Sequence, residues 1–331
     1  MTSIKDVARE AGVSVTTVSR VLNNRGYIGS GTRRAVESAM RKLDYQPNGI
    51  ARALQKSQSF FLGMIVPDSS HPFFGDLLKA VEREATHSGY KLLVCNSLDN
   101  PGMEEQYIGM LRQNRVDGIV MCSHTPDAGS YARARLPIVS FDRVIAPGVP
   151  SVGSDNYRGG ELATEHLIAK GRRRLLHLSG PLGLELLSNR RRDAFAAVCR
   201  AHGDSVTGEV IEADHNGLGY EYFRQFMQER LPLQELRRYD GVFCSNDIAA
   251  YALCVHAAGL GIAVPKELAI VGYDGHSFTQ MLQTPRLTTI RQPIGAIGGL
   301  LARTVIGLIE KEEIPARSAT VDVELIQGDT T

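Results

Sequence analysis

The chain has 331 residues, with 37 Lys and Arg against 36 Asp and Glu, a formal net charge of +1. Taken whole, that balance argues against a nucleic-acid partner, and a hydrophobic content of 43% excludes wholesale disorder. The length exceeds one ordinary domain of about 100–200 residues, so two or three domains are expected. No apolar run reaches the roughly 18 residues that a membrane span needs, and the amino terminus lacks a basic-then-apolar leader. Cys95, Cys122, Cys199, Cys244 and Cys254 form no C-x-x-C pair. That removes zinc-ribbon and thioredoxin-like readings and predicts buried free thiols in a reducing compartment. A cytoplasmic protein is expected.

The charge is unevenly spread. Residues 1–58 hold ten basic and four acidic side chains, a net +6, which leaves −5 for the rest. Such asymmetry marks a nucleic-acid-binding arm. In chain order, Ser3 is predicted to cap a helix over Ile4–Ala11, with Asp6 completing a capping box. Gly12 breaks the pattern, and Ser14 caps a second helix over Val15–Leu22, with Val18, Val21 and Leu22 facing a core. A third helix follows over Arg33–Leu43, with Val36, Ala39, Met40 and Leu43 on one face.

Two short helices joined by a Gly-containing turn make a helix-turn-helix, whose second helix enters the major groove. Val15, Thr16, Thr17, Ser19, Arg20 and Asn23 are the candidate DNA contacts of that helix. Arg20 suits the two acceptors of guanine, Val15 and the Thr16 methyl suit a thymine methyl, and the hydroxyls suit phosphates.

The string Ile4-Lys-Asp-Val-Ala-Arg-Glu-Ala-Gly-Val-Ser-Val-Thr-Thr-Val-Ser-Arg-Val-Leu-Asn23 resembles the headpiece of the lactose-repressor (LacI/GalR) family of bacterial transcription regulators. Tyr45-Gln-Pro-Asn48 and Ala51-Arg-Ala-Leu54 extend the match. The resemblance implies a hinge helix within 47–59 that orders on the operator, with Arg52 and Leu54 as DNA contacts. Leu54 would be the apolar wedge that kinks the minor groove.

Beyond Phe60, short apolar runs from Phe61–Val66 to Thr288–Ile290 alternate with amphipathic stretches from Phe74–Ser88 to Ile294–Glu310. Strand–helix alternation predicts parallel doubly wound sheets, and the number of strands predicts two of them. This region resembles the periplasmic sugar-binding-protein fold that the repressor family shares. The resemblance implies three crossings between subdomains, one formed by 60–156 plus 288–317, the other by 157–287 plus 318–331. The expected architecture is an all-α helix-turn-helix headpiece (1–46), a hinge and linker (47–59), and an α/β periplasmic-binding-protein-like core (60–331).

Ligands of open α/β sheets bind at the carboxyl ends of strands. There the sequence places His71, Phe73 and Phe74, then Asp142 and Arg143, then Asn246 and Asp247, then Asp274, then Gln292. Carboxylate, guanidinium and amide groups suit the vicinal hydroxyls of a sugar. Arg191 aligns with the family's effector arginine. The set resembles that of ribose-binding proteins and ribose-operon-type repressors, with His71 replacing the usual Asn. A further aromatic is missing from 208–219, where His215 stands.

No nucleotide-binding, zinc-protease or hydrolase motif is present, no metal ligands are suitably spaced, and no cofactor or catalytic residue is expected. The expected function is a repressor of sugar-utilisation genes, a homodimer on a palindromic operator, controlled by a small sugar with a pentose such as ribose favoured. The alternative is a catabolite-type regulator answering to a phosphosugar or a phosphorylated carrier protein, with Arg190 and Arg192 as the extra basic groups a phosphosugar would need.

Overall fold

The computed structural model describes residues 2–22, 26–45, 58–98, 100–123, 135–183, 186–213, 219–281, 285–312 and 318–331. The chain divides into two units, Met1–Ser59 and Phe60–Thr331.

The first unit holds helices α1 (Ile4–Glu10), α2 (Val15–Leu22) and α3 (Ser30–Lys42). Ser3 caps α1 in a full capping box with Asp6. Gly12 takes the positive φ of 65° that turns the chain toward α2. Ser14 Oγ then accepts the Thr17 N–H at 3.0 Å. Val7, Ala8, Val18, Val21, Val36 and Ala39 form the core, and Met40 and Leu43 pack at its margin. Helix α3 begins earlier than predicted, at Ser30, with Gly29 as its N-cap.

The second unit opens with β1 (Phe61–Val66), α4 (Pro72–His87), β2 (Lys91–Asn96), α5 (Pro101–Gln113), β3 (Gly118–Met121), β4 (Ile138–Phe141) and β5 (Ser151–Ser154). It continues with α6 (Asn156–Ala169), β6 (Arg174–Ser179), α7 (Arg190–Ala201), β7 (Thr207–Glu212), α8 (Tyr220–Arg230), α9 (Leu233–Leu236) and β8 (Gly241–Cys244). Then follow α10 (Asp247–Gly259), β9 (Ala269–Asp274), α11 (Ser277–Met281), β10 (Thr288–Arg291), α12 (Ile294–Glu310), β11 (Ser318–Val321) and β12 (Glu324–Ile326).

Two six-stranded sheets result, ordered β11-β5-β4-β3-β1-β2 and β12-β10-β9-β8-β6-β7. All pairs are parallel except β10 with β12. Leaving out the last strand of each, both sheets have the 2-1-3-4-5 order of a doubly wound fold, which opens a crevice at the carboxyl ends where strand order reverses. Helices cover both faces, so the strands are apolar on both sides. Leu62, Met64 and Val120 face one layer of the first sheet and Ile65, Ile119 and Met121 the other. Leu176 and Val242 face one layer of the second sheet, and Leu175 and Phe243 the other.

The chain passes between subdomains three times, as the resemblance implied, but the boundaries differ. Thr288–Arg291, placed by the resemblance in the first subdomain, pairs in parallel with β9 in the second sheet. Ser318–Val321, assigned to the second, pairs in parallel with β5 in the first. The third crossing therefore lies between β11 and β12. The second falls at Gln292–Pro293, because Ile297, Leu301, Val305 and Ile306 of α12 bury against Leu62, Leu77 and Val81. A run of alternating apolar residues shows that a strand exists, but not which of two sheets has the open edge it completes.

Candidate functional site

In the first unit α2 turns Val15, Thr16 and Arg20 outward; Val15 is 41% exposed although apolar. Ser19 is half-buried. Thr17 is also half-buried, with its hydroxyl 2.9 Å from that of Ser14, so it serves the helix cap. Asn23, Arg52 and Leu54, and most of the 47–59 hinge, lie outside the described residues.

In the second unit the carboxyl ends of both sheets converge on a cavity of about 130 Å³. Its lining includes His71, Phe73, Phe74, Asp142, Arg191, Asn246, Asp274 and Gln292. These eight come from six separate strand ends or helix starts, as the strand-end argument required. Arg143 and Asp247 are not in the lining. Arg143 is half-buried beside Glu104, and its carbonyl accepts the Ser140 hydroxyl. Asp247 is fully buried below the cavity, its carboxylate accepting the Thr289 hydroxyl at 2.5 Å and the His276 N–H at 2.8 Å. The cap of α10 is its neighbour Asn246, whose Oδ1 accepts from Ala249 N at 2.7 Å.

On the first subdomain's side Phe73 and Phe74 meet edge-on, with ring centroids 5.3 Å apart, and Phe73 lies 5.3 Å from Phe141. On the other side Phe223 of α8 and Ala213 line the cavity. Phe223 supplies the aromatic that 208–219 lacks. Sequence reading missed it because its helix starts beyond the window in which an aromatic was sought. Phe141 and His177 were missed too, since their apolar strands read simply as core, and Ser245, just after β8, was passed over for the larger polar groups Asn246 and Asp247 beside it. His177 Nδ1 lies 2.9 Å from the Phe243 carbonyl, and burial pushes this imidazole down to about 3.

Arg191 is held from three sides. Its Nε donates to Asn156 Oδ1 at 2.7 Å, its Nη1 donates to the Ser245 carbonyl at 2.7 Å, and its guanidinium stacks 3.5 Å from the Tyr273 ring centroid. Gly159 and Gly160 make this possible: a Cβ on Gly159 would sit 2.6 Å from the Tyr273 ring, and one on Gly160 2.6 Å from the Arg191 carbonyl. Asn156 also donates to Asp142 Oδ1 at 2.6 Å, so a buried chain Asp142–Asn156–Arg191 links the two subdomains. Burial pushes the Asp142 carboxyl up to about 6, against the pull of Arg191 and the hydrogen bonds from Asn156 and the Ser188 backbone.

Two lining carboxylates sit on strained backbone. Asp142 has φ 52° and Asp274 φ 111°, conformations that L-residues adopt at a cost and that cluster at functional sites. Asp274 Oδ1 accepts from Gln292 Nε2 at 2.7 Å, while its Oδ2 lies 3.3 Å from His276 Nε2. That contact is close enough for charge attraction but not aligned as a hydrogen bond. Burial works against the His276 imidazolium, but Asp274, Asp247 and Asp76 outweigh it and raise its pKa. Burial and the neighbouring Asp274 carry Asp247 up to about 7.

A helix-turn-helix joined to a two-sheet binding core defines a ligand-responsive DNA-binding regulator. Residues 3–48 match the family described as Bacterial regulatory proteins, lacI family. Residues 59–328 match Periplasmic binding proteins and sugar binding domain of LacI family. The chain is 39% identical to a sucrose operon repressor of Pediococcus pentosaceus, over 99% of this chain and 98% of that one. It is 35% identical to a ribose operon repressor of Halalkalibacterium halodurans, over 100% and 97%. A LacI-type regulator of Alkaliphilus metalliredigens solved with D-xylulofuranose superposes with a TM-score of 0.73 at 32% identity, covering 82% of this chain and 98% of that one. The operator-bound lac repressor dimer shares the fold, with a TM-score of 0.83 over 99% and 98% at 23% identity.

The chain belongs to the LacI family of bacterial regulatory proteins. It is a DNA-binding, sugar-responsive repressor and not an enzyme. Among the described residues, no helix is long and apolar enough to cross a membrane.

Proposed function

We propose that this repressor acts in the cytoplasm as a homodimer on a palindromic operator, and that a small neutral sugar in the cleft releases it. Two headpieces on one duplex match half-sites one helical turn apart, so two-fold symmetry follows from the mode of DNA reading. Arg20 reads a base edge, and Val15, Thr16, Thr17, Ser19, Asn23, Arg52 and Leu54 complete the DNA contacts. The sugar bridges the subdomains through His71, Asp142, Arg191, Asn246, Asp274 and Gln292, with the Phe73 and Phe74 rings as its apolar wall. It shifts the repressor only by binding the closed and open cleft differently.

The observation that carries this reading is the gathering of two carboxylates, three amides and one committed guanidinium around a single cavity. It disfavours a phosphosugar. Arg191 is the one lining Arg or Lys among the described residues, and it already serves Asn156 and Ser245. Arg190 and Arg192 are outside the lining, Arg190 over Tyr157 and Arg192 beside Asp193. The relatives' names point to ribose and sucrose, and the D-xylulofuranose complex to a pentulose. A pentose such as ribose is the favoured effector.

Thermal unfolding of the full chain with D-ribose, D-xylulose, sucrose and their phosphates tests this. A ligand specific for the folded state raises the midpoint by mass action. A neutral pentose is expected to give the largest rise; stabilisation by phosphosugars alone would reverse the assignment.

A further inference from the structure

Two buried polar atoms of the cavity have no hydrogen-bond partner among the described residues: His71 Nε2 and Gln292 Oε1. We infer that His71 is locked as the neutral Nε2–H tautomer, so that the cavity offers a fixed donor at His71 and a fixed acceptor at Gln292 and favours neutral hydroxyl compounds over charged ones. This builds on the sugar-cleft reading above and names the chemistry that selects within it.

The donor is set by a helix cap. His71 is the N-cap of α4, and its Nδ1 accepts the Phe73 N–H at 3.3 Å. An accepting ring nitrogen carries no proton, so in the neutral imidazole the proton sits on Nε2. The opposite tautomer would set N–H against N–H at the first turn of α4. The ring is also kept neutral: it is 6% exposed, and burial lowers it to about 4. Asp274 and Asp68 pull the other way and His276, 5.8 Å away between ring centroids, adds to the lowering. An Asn here could swing its amide to give or to accept; the capping imidazole gives only a donor.

The acceptor is set by a carboxylate. Gln292 Nε2 donates to Asp274 Oδ1 at 2.7 Å. Turning the amide over would place its oxygen against that carboxylate, so Oε1 is the end left for a ligand. The side chain is 4% exposed and lies at the β10–α12 crossing, whereas His71 belongs to the β1–α4 loop. Ligand hydroxyls can accept from the one and donate to the other. An ammonium group has no lone pair for His71 Nε2–H. A carboxylate or phosphate has no proton for Gln292 Oε1, and it would meet Asp142 and Asp274 besides.

Nitrogen NMR of the full chain labelled with ¹⁵N-histidine tests the donor without any ligand. At pH 7, and down to about pH 5, His71 is expected to show an unprotonated Nδ1 and a protonated Nε2, its signals identified by their loss in His71→Gln. A protonated Nδ1, or a doubly protonated ring at pH 7, overturns the inference. Thermal shift with D-ribose, D-glucosamine and D-ribose 5-phosphate tests the selection. Stabilisation by the amino or phospho sugar equal to that by the neutral sugar also overturns it. His71→Asp, which keeps a capping acceptor but offers no N–H to the cavity, is expected to weaken neutral-sugar binding about tenfold or more by loss of one committed hydrogen bond; unchanged affinity contradicts the donor role. If no sugar stabilises the wild type, the sugar reading fails while the tautomer has still been decided by the NMR.

Discussion

The groups proposed to read DNA stand outside the headpiece core, whereas those proposed to hold sugar are buried within the sensor. In Met1–Ser59 the apolar residues Val7, Val18, Val21 and Val36 point inward and Val15, Thr16 and Arg20 stand out in solvent. In Phe60–Thr331 the proposed sugar ligands are themselves interior: Asp142, Arg191, Asp274 and Gln292 are 4–8% exposed. An exposed arginine on a helix can be exchanged at little cost to the fold. A buried one is held by partners that lose satisfaction when it goes. Sensor mutations should therefore alter folding and ligand response together, whereas reading-helix mutations should alter DNA recognition alone.

The sharpest way to break that contrast is Arg191→Ala. It removes the charged donor to the Ser245 carbonyl and leaves Asn156 Oδ1 only the longer 3.4 Å bond from the Tyr273 hydroxyl, at about 1.5–3 kcal/mol for each charge-assisted bond lost. Thermal unfolding is expected to show a large loss in the sensor transition, and calorimetry no sugar binding. Full stability with full sugar affinity would show that the buried chain has no role. Asp142 gives a pH handle of the next size. Its folded pKa of about 6 lies above the ordinary 3.8, so the folded state holds the proton more tightly than the unfolded chain. Its contribution to stability therefore grows as pH falls from about 6 to 4 and is lost as pH rises through 6. Asp142→Asn should remove about 2–3 kcal/mol of that pH-dependent difference, read from denaturant midpoints at pH 4 and pH 7. Parallel curves for wild type and variant would refute the buried carboxyl.

On the headpiece side, Arg20→Ala is expected to cost roughly 1–3 kcal/mol of discrimination between operator and random duplex, without moving the unfolding midpoint. Equal losses on both DNAs would leave Arg20 a phosphate contact. The smallest effect is Ser14→Ala. It removes the acceptor for the Thr17 N–H and should lower headpiece stability by about 1 kcal/mol. Headpiece melting followed by circular dichroism checks this, and an unchanged midpoint would mean that the cap contributes nothing.

The same contrast explains what could be read in the chain. The headpiece was legible because its signals are local: a capping box at Ser3 and Asp6, a turn glycine at Gly12, and valines at helical spacing. In the sensor, strand ends located the cavity because a doubly wound sheet has one binding edge. They could not separate Asn246, which caps and lines, from Asp247, which lies beneath, since adjacent residues at a helix start point different ways. Phe223 and Asn156 were out of reach, because their roles depend on contacts between elements far apart in sequence. The exchange of β10 and β11 between sheets is a property of pairing partners, which apolar pattern does not encode.

The central claim is that sugar in the buried cleft controls the exposed reading helix. Fluorescence anisotropy of the full chain on a palindromic operator selected from a random pool, titrated with D-ribose and the other neutral sugars, tests it most directly. Wild type is expected to release the operator at saturating sugar, and Arg191→Ala to bind the same operator with undiminished affinity and fail to release it. Release by both proteins, or by neither with any sugar that binds, would contradict control through this cleft.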